Sequence, residues 1–337
     1  MSKKIPQRYG WTIMAAVSAG ALALSGCSGT SEDGGGEQSD LRVAMVTPES
    51  TGEYYGAMYC GAQAAADEQG VELDIQGTPE VTVEAEMQVL QSVLATEPDG
   101  MLLTVWDTES FNSVMAEYTS LGHPVVMPDS FMSSEDFLQS IRTDSYQSSY
   151  DAALEVIEAH GITEGKVLIN TDSPGNAIQS ARAEGFRDAI EKETDLETLE
   201  FQYVGGDSAK ASSAVTSAAA GNDDLAIVYS TNIGAGTGSA NGITTSGAEI
   251  VHVGYDASPA QVEQLKSGEY DALIAQSPYQ MGYDAMNLIS EVLKEEQSAD
   301  DVDEQTVFSP WALLTADNID DPENGAFIYT SDCSQAG

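Results

Sequence analysis

The sequence predicts an α/β protein of two similar doubly wound lobes, each a parallel sheet covered by helices on both faces. Alternation is the first reason. From Leu41 onward, short apolar runs alternate with longer amphipathic stretches, the pattern of parallel strands joined by crossover helices. Repetition is the second. EIVHVGYDAS (residues 249–258) echoes HPVVMPDS (123–130), each an apolar run closing on an aspartate, and Asp256 follows Asp129 by 127 residues. The same offset takes Val105, at the end of MLLTV, to Asn232, after LAIVYS, and takes Tyr55 to Arg182. A sheet repeated at this interval makes two lobes facing across a cleft. An aspartate ending a doubly buried strand lies where open α/β sheets bind their ligands.

Taken in order, LRVAMVTP is a strand and residues 53–70 a helix with Met58, Ala62 and Ala65 on one face. VELDIQ is a strand, and 82–96 a helix whose apolar positions Val83, Met87, Leu90, Val93 and Leu94 recur at helical spacing. MLLTV and HPVVMPDS follow as strands around a helix at 110–121. The cycle restarts after Arg142: Asp144 caps a helix ending at Gly161, KVLINTD is a strand, and 176–193 is a helix. LEFQYV reads as one strand and 209–220 as a helix. LAIVYS and EIVHVGYD are strands separated by a segment of small residues. A short helix at 258–267, the strand YDALIAQSP and a long helix at 281–296 complete the repeat. The tail, DEQTVFSPWALLTADNIDD, adds one further strand before an irregular end.

The 337 residues suffice for two cores. Residues 1–26 read as a secretory signal: Lys3, Lys4 and Arg8 precede an apolar stretch too short to span a bilayer comfortably. It closes on Leu24-Ser25-Gly26-Cys27, which resembles the bacterial lipobox. That resemblance implies cleavage before Cys27 and lipidation of the cysteine, so the protein is expected outside the cytoplasm, anchored to the outer face of the membrane. An ordinary signal with an incidental cysteine is the other reading. Residues 27–39 then form a flexible acidic tether, and no later stretch is apolar enough to span a bilayer. Without the signal the chain carries nine basic and 55 acidic residues, a net charge of −46. Such a chain does not bind nucleic-acid backbones or rely on attraction to anionic lipid. The acids are dispersed, as befits a solvated surface rather than an acidic binding tail.

Four segments, YYGAMYCGAQAAADEQG, ARAEGF, VGYD and LIAQSP, stand in an order and spacing that resembles the type I periplasmic sugar-binding proteins of ABC transporters, the ribose-binding group in particular. The resemblance covers residues 41 to about 320. It implies two lobes joined by a three-crossover hinge near 142–144, 276–278 and 305–311, closing on a sugar or sugar-like polyol. The implied partition is 40–142 with 278–306 for the first lobe, 143–277 with 307–325 for the second, and 326–337 as a tail on the first lobe. A monomer delivering its ligand to an ABC permease is expected, with no enzymatic activity, cofactor or metal. A sensor presenting its ligand to a membrane receptor would use the same pocket.

Carried over position by position, the resemblance implies ligand contacts from Tyr54, Tyr55, Asp129, Arg182, Asn232, Asp256 and Gln276. The chemistry fits: charged planar groups bind hydroxyls strongly, and aromatic rings cover the apolar faces of a sugar. Three departures stand out. Ser130 replaces an arginine that many relatives place after the first aspartate, removing a forked donor. Val105-Trp106 replaces an asparagine, with Trp106 either an apolar wall of the site or simply packing. The region of Gly205 and Gly206 replaces an aromatic.

Two enzymatic readings compete. Residues 233–238 (IGAGTG) follow a strand, with Asp256 downstream as in a dinucleotide fingerprint, but Ser239 stands where the third glycine belongs. Asp129 and Asp256 could form a glycosidase pair only at a fixed separation, with one of them protonated. The histidines His123, His160 and His252 lack metal-ligand spacing. Cys60 lies off the apolar face of its helix, and Cys333 sits in a tail with little else to hold it. In an oxidising compartment the two are expected to form a disulfide.

Overall fold

The computed structural model describes residues 41–336; the signal segment, Cys27 and the tether at 27–39 lie outside the described residues. In the first repeat, β1 (Arg42–Thr47), β2 (Glu72–Gly77), β3 (Gly100–Leu103), β4 (Val125–Pro128) and β5 (Gln139–Arg142) alternate with α1 (Glu53–Gln69), α2 (Val83–Leu94) and α3 (Asn112–Ser120). The second repeat opens with α4 (Ser145–His160) and β6 (Lys166–Thr171), then α5 (Ala177–Glu193), the short β7 (Glu197–Thr198) and β8 (Gln202–Tyr203), and α6 (Ser208–Gly221). It continues through β9 (Leu225–Ser230), α7 (Ile233–Ser246), β10 (Val251–Tyr255), α8 (Pro259–Ser267) and β11 (Ala272–Ala275). Finally α9 (Pro278–Leu293) returns to the first sheet, and β12 (Thr306–Phe308) and β13 (Ala312–Leu314) end one sheet each.

The sheet orders are β12-β5-β4-β3-β1-β2 and β13-β11-β10-β9-β6-β7, with β8 also on β6. The order is the same in both lobes apart from the last strand: β12 runs parallel to β5, whereas β13 runs antiparallel to β11. Central strands such as VVMP and ALIA are buried throughout, as strands covered by helices on both sides must be. Val43, Met45, Met58, Ala62 and Ala65 pack with Met281 and Ile289 of α9 on one face of the first sheet. Phe186 of α5 stacks on Tyr229 of β9 in the core of the second, ring centroids 4.1 Å apart.

Capping follows the sequence. Thr82 accepts from the Ala85 N–H, Asp144 from the Gln147 N–H at 3.0 Å and Asn176 from the Gln179 N–H at 3.1 Å, while Gly70 and Gly161 close their helices in the left-handed region.

Three elements depart from the sequence expectation. The small-residue segment between β9 and β10 is the helix α7. Each glycine costs a helix about 1 kcal/mol, but Gly238 and Gly242 let α7 lie directly on α6, where a Cβ would strike Ser208, Ser212 or Val215. LEFQYV is not one strand: β7 and β8 pair with β6 on either side of one inserted residue, a bulge. β5 was not foreseen, because QSIR is short and polar; it forms between β4 and β12.

The lobe boundaries also need correction. β12 stays paired with β5 through Phe308, so the first lobe extends beyond 306 and the chain crosses at 309–311. The tail does not pack on the first lobe alone. Phe327, Ile328 and Tyr329 need apolar cover and find it against Ala257, Val262, Leu265, Tyr270 and Leu273 of the second lobe. Tyr329 also meets Tyr54 of α1, and farther along the tail Cys333 is bonded to Cys60 of the same helix with the Cα atoms 5.0 Å apart.

Candidate functional site: the cleft between the lobes

The carboxyl ends of both sheets open on one cleft of about 400 Å³. Tyr54 and Tyr55 enter it from the first turn of α1, Trp106 from the loop after β3, and Asp129 from the end of β4. Opposite them stand Arg182 of α5, Asn232 before α7, Asp256 after β10 and Gln276 after β11. The structure therefore brings together all eight side chains that the sequence singled out for the ligand.

The two aspartates are equivalent in detail. Both adopt left-handed backbone, φ 66° at Asp129 and 77° at Asp256, uncommon outside glycine and most tolerable for Asn and Asp. Each donates its N–H to the neighbouring strand, Asp129 to the Ile141 carbonyl at 2.8 Å and Asp256 to the Ile274 carbonyl at 2.9 Å. Each carboxylate is also held at Oδ1. Tyr54 donates its hydroxyl to Oδ1 of Asp129, and Gln276 Nε2 donates to Oδ1 of Asp256 at 2.8 Å. Neither Oδ2 has a donor among the described residues, which leaves one acceptor per lobe for a ligand hydroxyl. Burial raises the Asp129 pKa, against the lowering effects of the Tyr54 hydrogen bond and of Arg182.

Arg182 is buried, with its guanidinium 3.7 Å from the centroid of the Tyr255 ring and Nη1 donating to the Thr231 carbonyl at 2.9 Å. Its Nε has no partner among the described residues, an unmet donor in the wall of a cleft rich in carboxylates. Asn232 is partly committed: Oδ1 accepts from the Ala235 N–H at 2.9 Å, capping α7. Trp106 is 43% exposed at the rim, while its backbone N–H donates to Oε2 of Glu86 at 3.2 Å. Burial pushes the Glu86 carboxyl up to about 8, so behind this wall it is largely protonated at neutral pH. Ser130 does not substitute for an arginine in the cleft. It is buried and turned back into the lobe, where Oγ accepts from the Val105 N–H at 2.9 Å and so fixes the loop that presents Trp106.

Sequence reasoning missed Glu49 and Asn176, which line the cleft from the loops before α1 and α5. The repeat contained the signal, since the same 127-residue offset joins them. The glycines of 233–238 do not form a phosphate-binding turn. Asn232 caps the helix, Gly234 lies against Gly206 in the cleft wall, and Gly236 faces the Tyr270 hydroxyl. His252 is a core residue: its Nδ1 lies 2.9 Å from the Glu269 carbonyl, its ring stacks on Tyr270, and burial lowers its pKa to about 4. Among the described residues no group of three or more His, Cys, Asp or Glu could hold a metal ion, and no helix is long and apolar enough to cross a membrane.

Two matched lobes, three crossovers and a polar cleft walled by aromatics define a type I solute-binding protein. The chain belongs to the family of the periplasmic binding protein domain, which it matches over residues 43–297. It is 24% identical over 260 residues to the ribose import binding protein of Salmonella typhimurium, covering 76% of this chain and 86% of that one. It is 22% identical over 261 residues to the D-allose-binding periplasmic protein of Escherichia coli, covering 74% and 84% of the two chains. An ABC transporter solute-binding protein from Agrobacterium vitis, solved bound with α-D-tagatopyranose, superimposes with a TM-score of 0.78 at 30% identity, covering 86% of this chain and 99% of its own.

Proposed function

We propose that the protein is the extracytoplasmic solute-binding lipoprotein of an ABC importer, a monomer that closes two lobes on a sugar or sugar-like polyol and delivers it to a permease. The observation that carries this reading is the matched pair Asp129 and Asp256, one per lobe, each with an oxygen free toward the same cleft. A ligand that bridges them gains its full set of hydrogen bonds only when the lobes approach, and that difference in contacts drives closure. Arg182 adds charge-assisted donors, and Tyr54, Tyr55 and Trp106 cover the apolar ring faces.

A thermal-shift screen against pentoses, hexoses, polyols and nucleosides tests this. A ligand at a hundred times its Kd stabilises the folded state by about 2.7 kcal/mol and raises the melting temperature. A screen with no sugar or polyol hit overturns the reading. Anchoring through Cys27 is tested separately. The Cys27→Ser variant is expected to move from the membrane fraction to the soluble fraction, because a chain with several acyl groups anchors stably without a spanning helix. Undiminished membrane association of that variant removes the lipoprotein from the proposal.

A further inference from the structure

The tail reaches the ligand site. Tyr329 is 1% exposed, and its hydroxyl does two things there: it donates to Oδ1 of Asp256 at 3.1 Å and accepts from the Gln276 N–H at 3.2 Å. Gln276 Nε2 donates to the same Oδ1 at 2.8 Å. Two fixed donors on one oxygen hold the carboxylate plane and direct Oδ2 to the cleft, as Tyr54 does for Asp129. The two tyrosines meet edge to face, with ring centroids 5.3 Å apart. An unbroken line of contacts thus runs Asp129–Tyr54–Tyr329–Asp256 across the lobes.

The chain after Tyr329 returns at once to the first lobe. The Tyr329 N–H donates to the Ala257 carbonyl of the second lobe at 3.0 Å, while two residues on the Ser331 N–H donates to Glu53 of α1 at 2.8 Å. Ser331 then packs on Gly56, and Cys333 is bonded to Cys60. From Tyr329 to Cys333 there is no more than about 14 Å of extended chain.

We propose that Tyr329 is a positioning residue of the ligand site, held beside Asp256 by a tail that the Cys60–Cys333 disulfide ties to the opposite lobe. The tail is thereby a fourth connection between the lobes, and the only one of them closed by a covalent bond between side chains. The inference rests on the sugar-binding reading for its effect on affinity, but not for its effect on Asp256 and Gln276.

Tyr329→Phe removes a single oxygen and keeps the buried ring. In the ligand-free protein, the Gln276 amide is expected to shift and to exchange at least ten-fold faster, about the loss of one hydrogen bond, and the Asp256 carboxyl carbon resonance to shift. With D-ribose, D-allose and D-tagatose as probes, affinity for any that binds the wild type is expected to fall about ten-fold. In an Asp256→Ala background the same substitution should cost much less affinity, because the carboxylate that the hydroxyl positions is gone and only its bond from the Gln276 N–H remains. A purely structural tyrosine would show an equal loss in both backgrounds, and that result overturns the proposal. So do unchanged Gln276 and Asp256 resonances. If none of the three sugars binds the wild type, the choice of ligand fails while the resonances still decide the role of Tyr329.

Discussion

Asp129→Ala and Asp256→Ala are each expected to weaken ligand binding by about 2–4 kcal/mol, because a buried ligand hydroxyl is left without its acceptor. The loss should be similar at the two positions, since both carboxylates occupy the same left-handed backbone at the end of equivalent strands and both are held at Oδ1, Asp129 by one donor and Asp256 by two. Alanine tolerates that backbone less well than aspartate, at a cost on the order of 1 kcal/mol. Asparagine variants therefore make the cleaner comparison: they keep the backbone preference and lose the charge. Calorimetric titration with whichever sugar the screen returns reads the affinity, and small-angle scattering with and without it reads closure. Wild-type affinity in both variants, or a radius of gyration indifferent to ligand, contradicts the two-lobe grip.

Replacing both cysteines by serine is expected to destabilise the fold by about 2–5 kcal/mol, the usual cost of losing a native disulfide. The bridge spans 273 residues of chain, so it constrains nearly the whole denatured ensemble. Denaturant melts of the oxidised protein and the Cys60→Ser/Cys333→Ser variant measure the difference. Thiol titration of the denatured, unreduced protein should find neither cysteine free. Two reactive thiols, or coincident melts, remove the bridge as a stabilising element.

The fold was legible where strands are buried on both faces, because such strands must be continuous apolar runs. It was not legible where neighbours create the element. QSIR becomes β5 only between two partner strands, and IGAGTGSANGITTS becomes α7 only because its glycines fit against α6. The candidate site was legible for a different reason. A repeated fold places equivalent residues at equivalent positions, so one interval related Asp129 to Asp256 at strand ends and Tyr55 to Arg182 in helices, while the family resemblance supplied Tyr54 and Gln276. That interval could not reach Tyr329, which lies outside the repeat and has no counterpart in the first lobe. Nor could it show that Ser130 turns inward, since that depends on the position of the Val105 loop.

The return of the chain to the first sheet also makes the first lobe depend on distant parts of the chain. β12 and α9 follow the entire second lobe in sequence, yet α9 covers β3, β4 and β5 with Met281, Met286 and Ile289, and β12 closes the β5 edge. The first lobe therefore remains an incomplete core, with the sheet face that α1 and α9 share covered by α1 alone, until residues far downstream are available. Its native contacts are long-range by construction, and chains of that kind fold slowly and expose strand edges while they wait. The architecture that joins two lobes into one binding device also means that the first lobe cannot complete its core from a single continuous stretch of chain.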